Sequence, residues 1–274
     1  AAPPALLPLA QDARERGWLQ AAHSRLESQG LDVGELMSRL SAVRTERLGD
    51  WQYLVEPASE GPALLMGDPW GAHMTALSRE ARPLVVFEPD PEAAQYLRVR
   101  AGQESLANVS AIVCGEGARA LPFGPETFSM VALVGPWSPG PMDNGSARPL
   151  DAIIARAFAL LRKGGTFILG VPNLLRPDLA LRGRARGQLA STLPALRSRI
   201  ARGGFESPQV YLPVPDFTDI QGLVSLDSKV ALRYFHVVYR HPRARWKRVL
   251  LGAAIDAGLI AVAAPSYMAI ARKP

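Results

Sequence analysis

The sequence predicts an α/β chain: a doubly wound, mostly parallel sheet of seven strands with helices on both faces, preceded by an N-terminal helical cap. Three observations predict it. Residues 5–50 show helical spacing and no strand alternation; from Ala63 short apolar runs alternate with helical stretches; and a strand, a glycine turn and a helix are followed, 21 residues beyond Gly67, by an acid closing the next apolar run.

In the first segment Leu6, Leu9 and Ala10, then Trp18, Leu19, Ala22 and Leu26, then Leu36, Leu40 and Val43 recur at helical intervals, with Gly30 as a break and Asp32 as a cap. This divides the chain into a cap over residues 1–55 and an α/β domain over residues 56–274. The expected strands are Ala63–Met66, Leu84–Phe87, Val109–Val113, Met130–Val134, Thr166–Val171, Gln209–Leu212 and Tyr267–Ala271. Between the first five lie helical stretches at Thr75–Ala81, Pro91–Gln103 and Leu150–Arg162, the last stopped by Gly164-Gly165. An arginine-rich helical segment follows Asn173, and another helical stretch is expected after Leu212. No internal repeat is found.

Composition narrows the classes. With 274 residues, 48% of them hydrophobic, the chain has ample material for a buried core. The single cysteine, Cys114, excludes an internal disulfide and a cysteine-cluster metal site. No basic-then-apolar leader opens the sequence, so a cytoplasmic location is expected. The longest apolar run, Val249–Pro265, is 17 residues broken by Asp256 and reads as a buried helix rather than a membrane span. The net charge of +6 comes largely from arginine and concentrates after residue 175.

Doubly wound folds bind nucleotides at the carboxyl ends of the strands, where a glycine turn offers backbone N–H groups. Here that turn is GDPWG, Gly67–Gly71, and Glu88 in VVFEPDPEAA stands at the offset of an acid that accepts from ribose hydroxyls. His73, two residues after Gly71, reads either as a base bordering the pocket or as a helix-start capping residue. His236 and His241, in YFHVVYRHPR, line an acceptor site or simply pack and solvate. No spacing of His, Asp and Glu suggests a metal site.

The order of segments from about Leu54 onward resembles the class I S-adenosylmethionine (SAM)-dependent methyltransferases, a Rossmann-like family. Four stretches carry the resemblance: LLMGDPWGAHMTAL, VVFEPDPEAA, CGEGARALPFGPETFSMV and ALLRKGGTFILGVPN. It implies SAM as cofactor, held by Gly67, Asp68, Gly71 and Glu88, with Glu116, Gly117 and Ala118 at the adenine side. It also implies that Trp137, after the fourth strand, meets the acceptor. The part beyond Gly204 resembles bacterial methyltransferases of glycan, lipid-linked and secondary-metabolite gene clusters; its mark is VYLPVPDF, where Tyr211 opens a stiff Tyr-x-Pro-x-Pro segment that holds a loop at the pocket mouth or acts as a rigid connector.

Three positions depart from the family pattern. Leu65 stands where an acid is usual and Pro69 where a glycine is usual, while Ser129 replaces the aspartate of a Phe-Asp pair. Two functions from different classes follow. One is a SAM-dependent O-methyltransferase of a small-molecule or glycan-type acceptor, with phosphate or a lipid anchor suiting the arginines; the other is a domain that has lost SAM and serves as a binding or scaffold partner for another protein. The basic stretches, Arg182–Arg202 and Arg240–Arg248, read as a solvated face, a phosphate site, a peripheral membrane contact or, last, a nucleic-acid surface.

Overall fold

A computed structural model describes residues 8–31, 33, 34, 36, 37, 40, 51, 54, 55, 61–79, 82–115, 121–134, 149–175, 189–217, 219–238, 252, 253 and 255–274. The helices are α1 (Leu9–Arg16), α2 (Trp18–Glu27), α3 (Ala72–Leu77), α4 (Pro91–Gln103), α5 (Pro149–Leu160), α6 (Leu193–Arg202), α7 (Lys229–Val238) and α8 (Ile260–Ala263). The strands are β1 (Ala63–Met66), β2 (Leu84–Glu88), β3 (Val109–Cys114), β4 (Phe128–Leu133), β5 (Leu161–Pro172), β6 (Gln209–Asp216), β7 (Asp219–Ser225) and β8 (Ser266–Arg272).

These strands form one sheet in the order β3-β2-β1-β4-β5-β8-β6-β7. Strands β1 to β5 pair in parallel; β8 is antiparallel to both β5 and β6, so β6 runs with the parallel set, and β7 is antiparallel to β6. The order reverses between β1 and β4, which opens a crevice at their carboxyl ends.

The sheet has eight strands rather than the seven expected, and the helical stretch expected after Leu212 begins only at Lys229, as α7. β6 continues through Pro213 and Pro215 to Asp216, and β7 returns beside it. Proline is tolerated there because β8 pairs β6 only over Gln209–Tyr211, so beyond Tyr211 the strand has a single neighbour, and the register shifts at Val214/Pro215. Helix α3 also begins three residues earlier than the spacing predicts, and α5 ends at Leu160, so Gly164, expected to cap it, has the left-handed φ (74°) but stands within β5.

Alternation along β1 divides the core. Leu64 and Met66 face a cluster built with α5 and α6, whereas Ala63 and Leu65 face a second cluster with α1, α2, α3, α4 and Trp51. α1 and α2 pack on α4: the Leu9 N–H and Arg25 both donate to Glu92 Oε1, at 2.7 and 2.6 Å. The Trp18 N–H donates to Gln103 (2.9 Å), whose amide donates in turn to the Ala13 carbonyl (2.8 Å). Among the described residues no helix is long and apolar enough to cross a membrane.

Candidate cofactor site

The site begins where β1 ends. Gly67 (φ 73°) turns the chain, and Asp68–Gly71 closes a β-turn in which the Gly71 N–H donates to the Asp68 carbonyl at 3.0 Å. Asp, Pro and Gly at the first, second and fourth positions are the residues such a turn favours, because the proline ring presets φ. Pro69 therefore builds this loop. Gly71 (φ 79°) is required for a different reason: a Cβ there would stand 2.8 Å from Leu97 and 3.2 Å from Arg100, both on α4. The second glycine thus lets the loop seat on its supporting helix.

Asp68 is buried and already partnered, since its Oδ2 accepts the Met74 N–H at 2.7 Å. It satisfies an orphan donor in the first turn of α3, as a capping side chain does. Leu65 is fully buried in the apolar cluster shared with the N-terminal helices.

Sequence reasoning missed Arg100. Its buried guanidinium donates to the Trp70 carbonyl, pairs with Glu104 at 3.2 Å and lies 3.8 Å over the Trp18 ring. Glu104 accepts from the Thr75 hydroxyl (2.7 Å), which also lies 3.0 Å from the Gly71 carbonyl, and Trp70 packs edge-on to Tyr96. The loop is clamped from α4, and the clamp is roofed by α2. A signal existed: Tyr96, Leu97 and Arg100 share one helical face, so the arginine was already placed on the apolar side.

Glu88 closes β2 beside this loop. Its Oε1 accepts the Asp90 N–H at 3.2 Å, while Oε2 is buried with no hydrogen-bond partner among the described residues. Burial pushes its carboxyl up to about 7; the Asp90 N–H pulls it down, and the charges of Asp68 and Asp90 raise it further. A buried acceptor without a donor is costly in isolation and suits a ligand hydroxyl. The glycine turn, Asp68 and Glu88 stand side by side at the ends of β1 and β2.

His73 is buried in the first turn of α3, directly after the glycine turn. Other expected residues lie elsewhere. Tyr211 is on β6, four strand spacings or about 19 Å from β1, with its hydroxyl bonded to Gln209 (2.9 Å). His236 is on α7, which packs against the edge strand β7, and a Cβ on Gly252 would stand 3.3 Å from its Nε2. The structure brings neither to the glycine turn. Glu116, Gly117, Ala118, Trp137 and His241 lie outside the described residues, as do Arg182, Arg184, Arg186 and residues 239–250.

Of the basic stretches, Arg197 and Arg199 pair with Asp227 and with Asp151 (3.7 Å). Ser129 is buried, its hydroxyl donating to the Gly61 carbonyl at 2.9 Å, which ties the entry of β1 to β4. A cavity of about 280 Å³ lined by Thr166, Gln209 and Arg272 opens at the amino end of β5, away from the crevice. In doubly wound sheets the carboxyl ends of the strands bind ligands, so the crevice beside Gly67 and Glu88 is the better site despite that cavity.

No family model matches the chain, and no curated protein matches it by sequence. Solved structures do match. A phosphoethanolamine N-methyltransferase from Haemonchus contortus, in complex with phosphomonomethylethanolamine and S-adenosylhomocysteine, is 16% identical with a TM-score of 0.52; the match covers 84% of this chain and 52% of that one, so the chain spans about half its length. A SAM-dependent methyltransferase from Thermotoga maritima is 14% identical over 89% of this chain and 96% of its own, with a TM-score of 0.52. Geranyl diphosphate methyltransferase, in complex with its diphosphate and sinefungin, is 14% identical over 86% and 79%, with a TM-score of 0.51. Identities this low speak to architecture alone, and in architecture the chain has the Rossmann-like fold of the class I SAM-dependent methyltransferases.

Proposed function

We propose that the chain is a SAM-dependent methyltransferase acting at oxygen on a small-molecule or glycan-type acceptor. The observation that carries this reading is Glu88 Oε2, a buried acceptor without a donor among the described residues, at the strand end where doubly wound folds hold a ribose hydroxyl. Gly67, Asp68 and Gly71 shape the loop under the cofactor, with Glu116, Gly117 and Ala118 assigned to the adenine side. When bound, SAM supplies an electrophilic methyl group. The chain's own contribution is alignment of the acceptor oxygen for in-line displacement, with His73 as the base that takes its proton. Trp137 is assigned to the acceptor; Tyr211 and His236, expected there from the sequence, stand too far from the glycine turn to share it. Residues 1–55 act as a helical cap on the α/β domain of residues 56–274, in the bacterial cytoplasm.

Two of the similar structures hold acceptors that carry phosphate, which supports a phosphorylated acceptor for an arginine-rich chain. Isothermal titration with SAM and S-adenosylhomocysteine tests the reading. Saturable heat is expected, and none at high ligand concentration with folded protein would overturn it. A second reading has its own support: Asp68 is spent on the Met74 N–H and Leu65 on the core, as in a domain that has lost SAM and binds another protein. Recovery of a stable partner by pull-down from a chain that shows no titration heat would favour it.

A further inference from the structure

Helix α7 has two apolar faces. Leu232 and Phe235 face the core, while Val230, Tyr234, Val237 and Val238 face outward, 79%, 70%, 60% and 57% exposed. Steps of four, three and one residue place these four on a single stripe. A helix that merely covered the edge of a sheet would turn polar side chains there. Arg233 pairs with Asp256 at 2.8 Å, and Leu259 and Val262, three and six residues beyond that acid, are also half exposed or more. Between Asp227 and Asp256 the sequence holds seven Lys or Arg residues and no acid, five of the seven within residues 240–248, together with the aromatics Tyr234, Tyr239 and Trp246.

We infer that the outer face of α7, with the basic sequence that follows it, docks on an anionic lipid bilayer. An exposed apolar helical stripe joined to a block of cations and interfacial aromatics matches the surface of an anionic membrane, where headgroups meet the charges and acyl chains take the valines. RNA offers nothing to the Val230–Val237–Val238 stripe. A symmetric contact with a second copy would bring two acid-free cationic blocks together. The inference gives the chain a surface on which a lipid-linked acceptor would be presented, and it does not depend on methyl transfer.

Sedimentation of the full chain with vesicles of phosphatidylcholine alone, and of phosphatidylcholine with phosphatidylglycerol, tests it. Binding is expected to the anionic vesicles only and to weaken with salt. The pair Tyr234→Ser/Val237→Ser, at exposed positions, should lower it at least tenfold. The pair Arg243→Gln/Arg245→Gln should lower it about fivefold per charge. Titration heat with S-adenosylhomocysteine should be the same in these variants as in the parent, which separates this result from the fate of the methyltransferase reading. Four outcomes would overturn the inference: no binding to anionic vesicles; equal binding to neutral ones that neither pair weakens; a dimer, lost in Tyr234→Ser/Val237→Ser, without vesicle binding; or retention of an RNA oligonucleotide without vesicle binding.

Discussion

Asp68 and Glu88 follow adjacent strands, both 4% exposed and both carboxylates, yet they serve different ends. Asp68 turns inward along its own chain and its Oδ2 accepts the Met74 N–H, which holds the loop. Glu88 accepts the Asp90 N–H through Oε1, but its Oε2 is buried without a partner among the described residues, and it keeps its proton up to about pH 7. Burial alone therefore does not mark a ligand group. What distinguishes the two is the buried, unpartnered second oxygen of Glu88.

The contrast breaks most forcefully at the clamp. Arg100→Met should cost about 3–5 kcal/mol in a denaturant titration, because it leaves Glu104 and the Trp70 carbonyl without their buried cation. Affinity for S-adenosylhomocysteine should fall with it if Asp68 and its turn are support for the site.

Next in size is a pH effect that belongs to Glu88 alone. Its folded carboxyl titrates at about 7, above its ordinary 4.5, so its contribution to stability is fully present below 4.5 and lost as pH rises through about 7. The loss is at most about 3 kcal/mol. Unfolding midpoints of the unliganded protein should fall across that window, and Glu88→Gln should flatten the fall. A parent whose stability is level there would remove the proposed strain at Glu88.

The same variant should weaken S-adenosylhomocysteine binding by about 1–3 kcal/mol, as a charged hydrogen-bond acceptor is replaced by a neutral amide. Parent affinity should rise with pH through about 7, since ionised Glu88 is the better acceptor. Asp68→Ala is the smallest change expected, about 1 kcal/mol of stability through loss of the cap, with any loss of affinity following the loop rather than a direct contact.

Three loci show how much was readable. The strands at Ala63, Leu84 and Val109 and helix α4 follow from apolar period, which is a local property. The residues of GDPWG were legible as a turn, but Pro69 read as damage when weighed against a family pattern and as construction when weighed as turn chemistry. β7 was hidden because Pro213 and Pro215 argue against a strand unless one side of it is known to lack a neighbour, and strand order is not written locally.

The order of residues was enough to specify the alternation of strands and helices, the glycine turn and the offset to Glu88, because each depends on neighbours along the chain. Only the tertiary structure decided that Asp68 holds the Met74 N–H while Glu88 Oε2 is buried without a partner among the described residues, that Arg100 from α4 clamps the loop under Trp18, that Tyr211 and His236 stand far from it, and that α7 turns valines outward. The physical reason is the same in every case. Whether a buried polar atom finds a partner, or an apolar face finds a cover, depends on contacts between segments that the sheet order brings together and that spacing along the sequence does not encode.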